Sequence, residues 1–570
     1  MTLLNNPILH HTIFHDTLIA DLVIDRRIGW FRDCKPRILI VADGSLGFDT
    51  NGFGLTRFIE ALTVHNSTTL QPTIKLAHRG PGADTSVTIA GTTYDLDRDF
   101  DFASASPSVT TGNYDQIWMF GISTSAISNS EVETIAEFMN AGGGVFSTGD
   151  HAALGAGMGN RLPRIRHMRE WAGVPMGTET LPTALNRIDT VVDPGANDIY
   201  EFSDQGDDIP QRIYPNYSVT GPGGSGGWTA TVHPLLLLSG APLSRLSGDP
   251  ALFSNDMDVL PDHPHESECY AVTDPNVLDD DYTEAGMNFK EFRRRAGSTD
   301  RVGSEIVAFA VSGGRSVFNG VWKPPVTPRM FGVISAYDGH QCNPYPNQNA
   351  RPGRIVCDAT WHHFVNVNLE GMGTTVGGSF MPDINLSKIY RYYQNTVKWL
   401  MPSNRRRCFI FTILTATRFH FELIEEITTI GKIREMEDLL TIGAGAFQII
   451  ENAIGPGTAE NMVAELLRSD ESTAEIGDRL VSATNGLGAD DKKRIVDMTL
   501  GNAVAMLVEA MPAHDDERTL KLIGGDAAEE MEERLQKQAV KSVEMAVKVS
   551  RERLEARAKA LERFAGKKAR

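Results

Sequence analysis

Cysteine is scarce in this chain: five among 570 residues, namely Cys34, Cys269, Cys342, Cys357 and Cys408. An odd number with no CxxC pair excludes a disulfide scaffold and a zinc ribbon, and fits a reducing, cytoplasmic setting. Long apolar runs are also missing. The longest, CFIFTILTATRF at 408–419, falls short of the roughly 20 residues that a membrane span needs. The opening stretch, MTLLNNPILHHTIFHD, has neither a basic n-region nor an apolar h-region, so neither a signal peptide nor a membrane partner is expected. Positive charge is outnumbered, with 54 Lys and Arg against 73 Asp and Glu for a net charge of −19. Such a surface repels phosphate backbones, so nucleic acid is not an expected partner either.

What remains is 41% hydrophobic and 22% charged, a globular composition whose length corresponds to about three or four domains, or fewer if one carries insertions. PRILIVAD at 36–43 is a continuous apolar run opened by proline and closed by Asp-Gly, which suits a strand buried on both faces of a parallel sheet. GLTRFIEALT then has helical spacing. YDQIWMFG at 114–121, SNSEVETIAEFMNAGGG with its capping Ser or Asn, and VFST at 145–148 repeat the order as strand, helix, strand, with a parallel crossover. Strand character returns at MFGVISAYD (330–338) and RIVCDATWHHF (354–364), and INLSKIYRYYQNTVKWLMP makes a closing helix stopped by proline.

This pattern predicts an N-terminal arm over 1–35, an α/β domain over 36–402 with a large irregular insertion at about 182–322, and an all-α C-terminal domain over 403–570. The last segment reads as one long charged helix. Val540, Val547, Leu554 and Leu561 recur every seven residues, but Ser550 and Arg557 interrupt the companion seam. The helix is therefore either packed on its own domain or a route to a homo-oligomer.

The segments PRILIVADG, YDQIWMFG, EFMNAGGGVFSTGDHAAL and GRIVCDATWHHF resemble, in order and spacing, the class I glutamine-amidotransferase-like superfamily, and within it the trehalose-utilisation (ThuA-like) branch. The resemblance covers about 36–180 and 330–402. It implies a flavodoxin-like parallel sheet with the site at the carboxyl ends of its strands. The chain also departs from that superfamily. Where its glutaminases place a nucleophilic Cys, this sequence has Ser147-Thr148-Gly149-Asp150-His151, and Trp361-His362-His363-Phe364-Val365 lacks the Glu two residues after the histidine. Without a thiolate, glutamine hydrolysis through a thioester is not expected.

Six of the 15 histidines fall in four short segments: Asp150-His151; Asp262-His263-Pro264-His265-Glu266; Asp338-Gly339-His340; and Asp358 to His363. Three of these follow predicted strands, and in a parallel sheet such ends share one rim. His263 and His265 alternate around Pro264, and Asp358, Thr360 and His362 share a face if the chain is extended there. His-x-His beside a carboxylate can present imidazole to a divalent ion.

Two mechanisms stay open. In one, His263, His265, His340 and His362 hold Zn²⁺, Mn²⁺ or Fe²⁺, whose bound water attacks while Asp150, His151, Glu266 and His363 do the acid-base work. In the other no metal binds, and His362 or His363 with Asp150 acts on a bound small molecule. The expected activity is hydrolysis of a small polar substrate, and the alternative is a non-catalytic ligand-binding scaffold or sensor.

Other features carry less. GPGGSGGW lacks a GK[ST] ending, and Asp43-Gly44-Ser45-Leu46-Gly47 lacks the third glycine of a dinucleotide loop, so no nucleotide cofactor is expected, although Asp43 could line the site. His10, His11, His15 and Asp16 read as a surface arm, and Arg405-Arg406-Arg407 as linker charge.

Overall fold

The computed structural model describes residues 35–65, 72–150, 153–171, 201–203, 210–220, 229–236, 238, 257–261, 267–296, 298–318, 321–322, 326–346, 350–376, 379–418, 421–430, 436–454, 458–468, 470, 472–481, 487–510 and 525–568. The N-terminal histidine cluster and GPGGSGGW lie outside them. Two compact units emerge, one of 34–217 with 232–406 and one holding 407–570 with 218–231.

The first unit is built on a 12-stranded sheet. Its strands are β1 (Arg37–Ala42), β2 (Thr73–His78), β3 (Ser86–Ile89), β4 (Thr92–Asp97), β5 (Gln116–Phe120), β6 (Gly144–Thr148), β7 (Glu305–Phe318), β8 (Val321–Trp322), β9 (Val326–Tyr337) and β10 (Ile355–Asp358). They lie in the order β8-β7-β9-β10-β6-β5-β1-β2-β4-β3, and two short strands pair with β7 off this path. From β10 to β4 every pairing is parallel. β3, β7, β8 and β9 pair antiparallel. The centre of the sheet is thus parallel, as expected from sequence, and its two flanks are antiparallel, which the sequence pattern did not indicate.

The expected insertion also needs redrawing, because its last part supplies β7. β7 runs against β9 with irregular register between Ile306 and Ala308, between Ala308 and Phe309 and between Ser312 and Gly314. Such irregularity breaks the alternation by which a strand is recognised in sequence.

Three helices pack on this sheet: α1 (Thr56–Thr63), α2 (Asn129–Asn140) and α3 (Ile384–Leu400). Right-handed crossovers place α1, between β1 and β2, and α2, between β5 and β6, on opposite faces, because the strand order runs in opposite directions from the β1–β5 pair. On the α1 face, Phe58 contacts Trp118, Phe120, Phe364 and Tyr393 at ring-centroid distances of 5.2 to 5.4 Å. Each buried phenyl contributes about 1.5–3 kcal/mol relative to exposure. The expected cap of α2 is Ser128, which forms a full capping box with Glu131.

α1 is finished differently. Its N-cap, Leu55, gives no side-chain bond. Instead Asn366, far along the chain, accepts from Thr56 Oγ1 and Arg57 N at 3.0 Å each. Its Nδ2 donates to the carbonyls of Asp49 and Asn51.

In the second unit run α4 (Ser403–Arg418), α5 (Phe421–Ile430), α6 (Met436–Ile454), α7 (Thr458–Arg468), α8 (Ala474–Val481), α9 (Ala489–Ala510) and α10 (Gly525–Lys568). Leu414, Ile442, Ile450, Val463, Leu467, Val504 and Leu507 form their core, joined by Leu535, Ala539 and Val543 of α10. α10 thus buries a stripe other than the one noted in sequence: Val547 is 54% exposed.

Candidate functional site

Register brings the strand ends together. Ala42 pairs with Phe120, Phe120 with Thr148, and Thr148 with Asp358, so the residues that follow β1, β5, β6 and β10 leave the sheet at one rim. The loops after β5 and β6 are drawn tight by glycine. A Cβ on Gly121 would sit 2.8 Å from Gly155 Cα, and one on Gly155 would sit 2.6 Å from Gly149 Cα, so main chain packs directly on main chain.

At the end of β6 stands Asp150, and beyond β10 stands His362, each 1% exposed. The chain does not stay extended after Asp358: Thr360 caps a single 3₁₀ turn, Trp361–His363, by accepting from His362 N. Asp358, Thr360 and His362 therefore do not share a strand face. The turn carries His362 toward Asp150 instead, with Nε2 3.8 Å from Asp150 Oδ2. Thr360 Oγ1 donates to Asp150 Oδ1 at 3.0 Å. His362 Nδ1 lies 2.8 Å from Asn368 Oδ1, a carbonyl oxygen, so Nδ1 carries the proton and Nε2 is the basic nitrogen. Trp361 stacks on the imidazole at 4.0 Å and Phe53 meets its edge at 5.9 Å.

His363 is arranged differently. Its Nδ1 donates to Asp358 Oδ1 at 2.6 Å and its Nε2 lies 2.7 Å from Gln211 Nε2. Asp358 in turn accepts from the Tyr392 hydroxyl, and Tyr393 donates to the His363 carbonyl. With both nitrogens engaged and the ring fully buried, His363 ties β10 to α3 rather than facing a substrate, so its expected acid-base role is not supported here.

His340 is not at this rim. β9 runs antiparallel to β10, and its last residue, Tyr337, pairs with Ile355, the first of β10. His340 follows at the opposite end of the sheet. Its expected place in a metal shell rested on β9 being parallel. His151, His263, His265 and Glu266 lie outside the described residues. Among the described residues no group of three or more His, Cys, Asp and Glu side chains is set to hold a metal ion.

Sequence reasoning missed Arg169. Fully buried, it donates from Nε to the Asp358 carbonyl (3.1 Å), from Nη1 to that of Glu170 (2.8 Å), and from Nη2 to those of Asp150 and Ala359 (2.8 Å each). One planar fork thus fastens the ends of β6 and β10 to each other. Burial pulls its guanidinium below the ordinary value, partly offset by neighbours that include Asp150 and Asp358. No local motif marks this arginine. Asn366 and Asn368 were missed for the same reason, since a lone Asn in a loop carries no spacing signal.

No family model matches the chain, and neither does any curated protein.

Proposed function

We propose that the protein is a hydrolase of a small polar substrate, with a ThuA-like α/β domain and with His362 as general base. The observation that carries this is the buried pair: the basic Nε2 of His362 and Asp150 Oδ2 face each other at 3.8 Å while Asn368 fixes the imidazole from behind. A water bound beside this pair gives one proton to Nε2 as its oxygen bonds to the substrate carbonyl carbon and the carbonyl π pair moves onto the carbonyl oxygen. Asp150 stabilises the imidazolium, which returns the proton to the leaving group as the carbonyl re-forms and the bond from its carbon to the leaving group breaks. The doubly wound part of the reading is supported by the parallel core, whose strands in chain order β1, β2, β4, β5, β6 and β10 lie as 3-2-1-4-5-6; the flavodoxin-like order 2-1-3-4-5 describes that core with the edge strand β4 set aside. A metal-assisted form needs donors from the His263, His265 and Glu266 segment, because the rim described here supplies one imidazole and one carboxylate facing each other.

The test is a small panel: 4-nitrophenyl acetate, 4-nitrophenyl hexanoate and glutamine, each assayed with and without prior EDTA treatment, alongside metal analysis of the purified protein. We expect nitrophenol release and no ammonia from glutamine. Loss of ester turnover on chelation, restored by Zn²⁺ or Mn²⁺, selects the metal-assisted form. No turnover of either ester would abandon the hydrolase reading.

The scaffold reading has one observation in its favour, the exposed Val547 on a stripe shared in sequence with Val540, Leu554 and Leu561. If that stripe joins two copies, Val547→Asp with Leu554→Asp lowers the mass seen by light scattering while helicity is kept, because carboxylates buried without a partner are costly. An unchanged mass rejects the seam.

A further inference from the structure

The strand order reverses between β1 and β5, and the crevice outside that switch point is where open α/β sheets accept ligands. Asp43 follows β1 there and is 3% exposed. Its Oδ1 accepts from the backbone N–H groups of Ile122 (2.6 Å) and Ser123 (2.9 Å), which lock the carboxylate across the crevice. Its Oδ2, on the same carboxylate, is buried and accepts no hydrogen bond among the described residues. Gly44 allows this closeness, since at φ +62° a Cβ would fall 1.9 Å from Ile122 Cγ2. A buried carboxylate oxygen without a donor is destabilising, and a ligand that supplies the donor relieves it.

The chemistry of the donor is narrowed by what surrounds it. Phosphates and other anions commonly sit at the N-terminus of the first helix in such folds. Here Asn366 Oδ1 already accepts from Thr56 Oγ1 and Arg57 N at that helix end, and a carboxylate stands at the switch point. Both features disfavour an anion. We propose that Asp43 Oδ2 binds a hydroxyl or ammonium group of the substrate, at the end remote from the atom attacked beside His362. Two strand spacings separate β1 from β6, about 10 Å, so the substrate spans the crevice with its donor group over β1 and its reacting group over β6 and β10. This inference rests on the hydrolase reading for its reacting end only.

The probes are three esters matched in length: 4-nitrophenyl 6-aminohexanoate, 4-nitrophenyl 6-hydroxyhexanoate and 4-nitrophenyl hexanoate. Wild-type protein is expected to show a KM about tenfold lower for at least one of the two donor esters than for the hexanoate, and which one it favours identifies the donor. Asp43→Asn keeps an oxygen for Ile122 and Ser123 but replaces Oδ2 by an NH₂ group. It is expected to bring the KM ratio close to one, and Asp43→Ala to do the same if it folds. A ratio that survives Asp43→Asn overturns the proposal. If no ester is turned over, the hydrolase reading fails by itself, and binding of 6-aminohexan-1-ol followed by NMR decides this one. At least tenfold weaker binding to Asp43→Asn sustains it, and equal binding, or none to wild type, rejects it.

Discussion

His362→Gln lowers kcat for a turned-over ester by about 10² to 10⁴-fold, the range expected when a positioned general base is removed. Glutamine keeps a polar side chain of similar reach, so the midpoint of urea unfolding should move little. Asp150→Asn is expected to cost kcat as well, because the imidazolium formed in the reaction loses its carboxylate, now 3.8 Å away. Asn368→Ala is milder: the ring keeps its basic nitrogen but loses the carbonyl 2.8 Å from Nδ1 that sets its tautomer. The contrast is His363→Gln, which breaks the bonds to Asp358 and Gln211 and is read mainly as lost stability. Should His363→Gln abolish turnover in a fully stable protein while His362→Gln leaves it intact, the roles assigned to the two neighbours are reversed.

Arg169→Met destabilises the first unit by about 1–3 kcal/mol. Methionine fills much of the volume but leaves the carbonyls of Asp150, Glu170, Asp358 and Ala359 without their shared donor. A buried acceptor left with no donor costs about 1–3 kcal/mol, and the loss here is partial because the carbonyls of Asp358, Glu170 and Ala359 keep Thr148 Oγ1, Ser267 Oγ and Ser267 N as donors. Arg169→Lys recovers only a fraction, because one ammonium cannot reach carbonyls spread around a planar fork. Chemical denaturation at neutral pH measures both variants. A loss below about 1 kcal/mol for the methionine variant contradicts the clamp, and turnover that falls before stability does would place Arg169 in the reaction as well.

The parallel core was legible because β1, β5, β6 and β10 are short apolar runs bounded by turn residues, and α2 begins at Ser128 with Glu131 placed three residues on. β2 and β4 were not, since TIKLAH and TTYDLD mix exposed polar residues with apolar ones. β7 was hidden by irregular register and by two successive glycines, Gly313 and Gly314. The direction of β9 was not legible at all. Hydrophobic pattern states that a strand is buried but not which way it runs, and that one unknown moved His340 to the far rim. At the candidate site, Asp150 and His362 were singled out in the sequence because each follows a readable strand. His363, one residue on, could not be told from His362, because the difference lies in a 3₁₀ turn fixed by Thr360. Arg169, Asn366 and Asn368 act across distances in sequence that no local spacing encodes.

The contacts among Gly121, Gly149 and Gly155 bear on how freely the site could change in evolution. There the loops after β5 and β6 pack backbone against backbone, Gly121 on Gly155. A frame held in that way is indifferent to the identity of the side chains it displays, so new lining residues can be accepted without moving the frame. The glycines themselves are not free in the same sense. Any larger residue would push the loops apart and shift Asp150 relative to His362, so among distant descendants of this chain the pocket chemistry can drift while these three positions stay fixed.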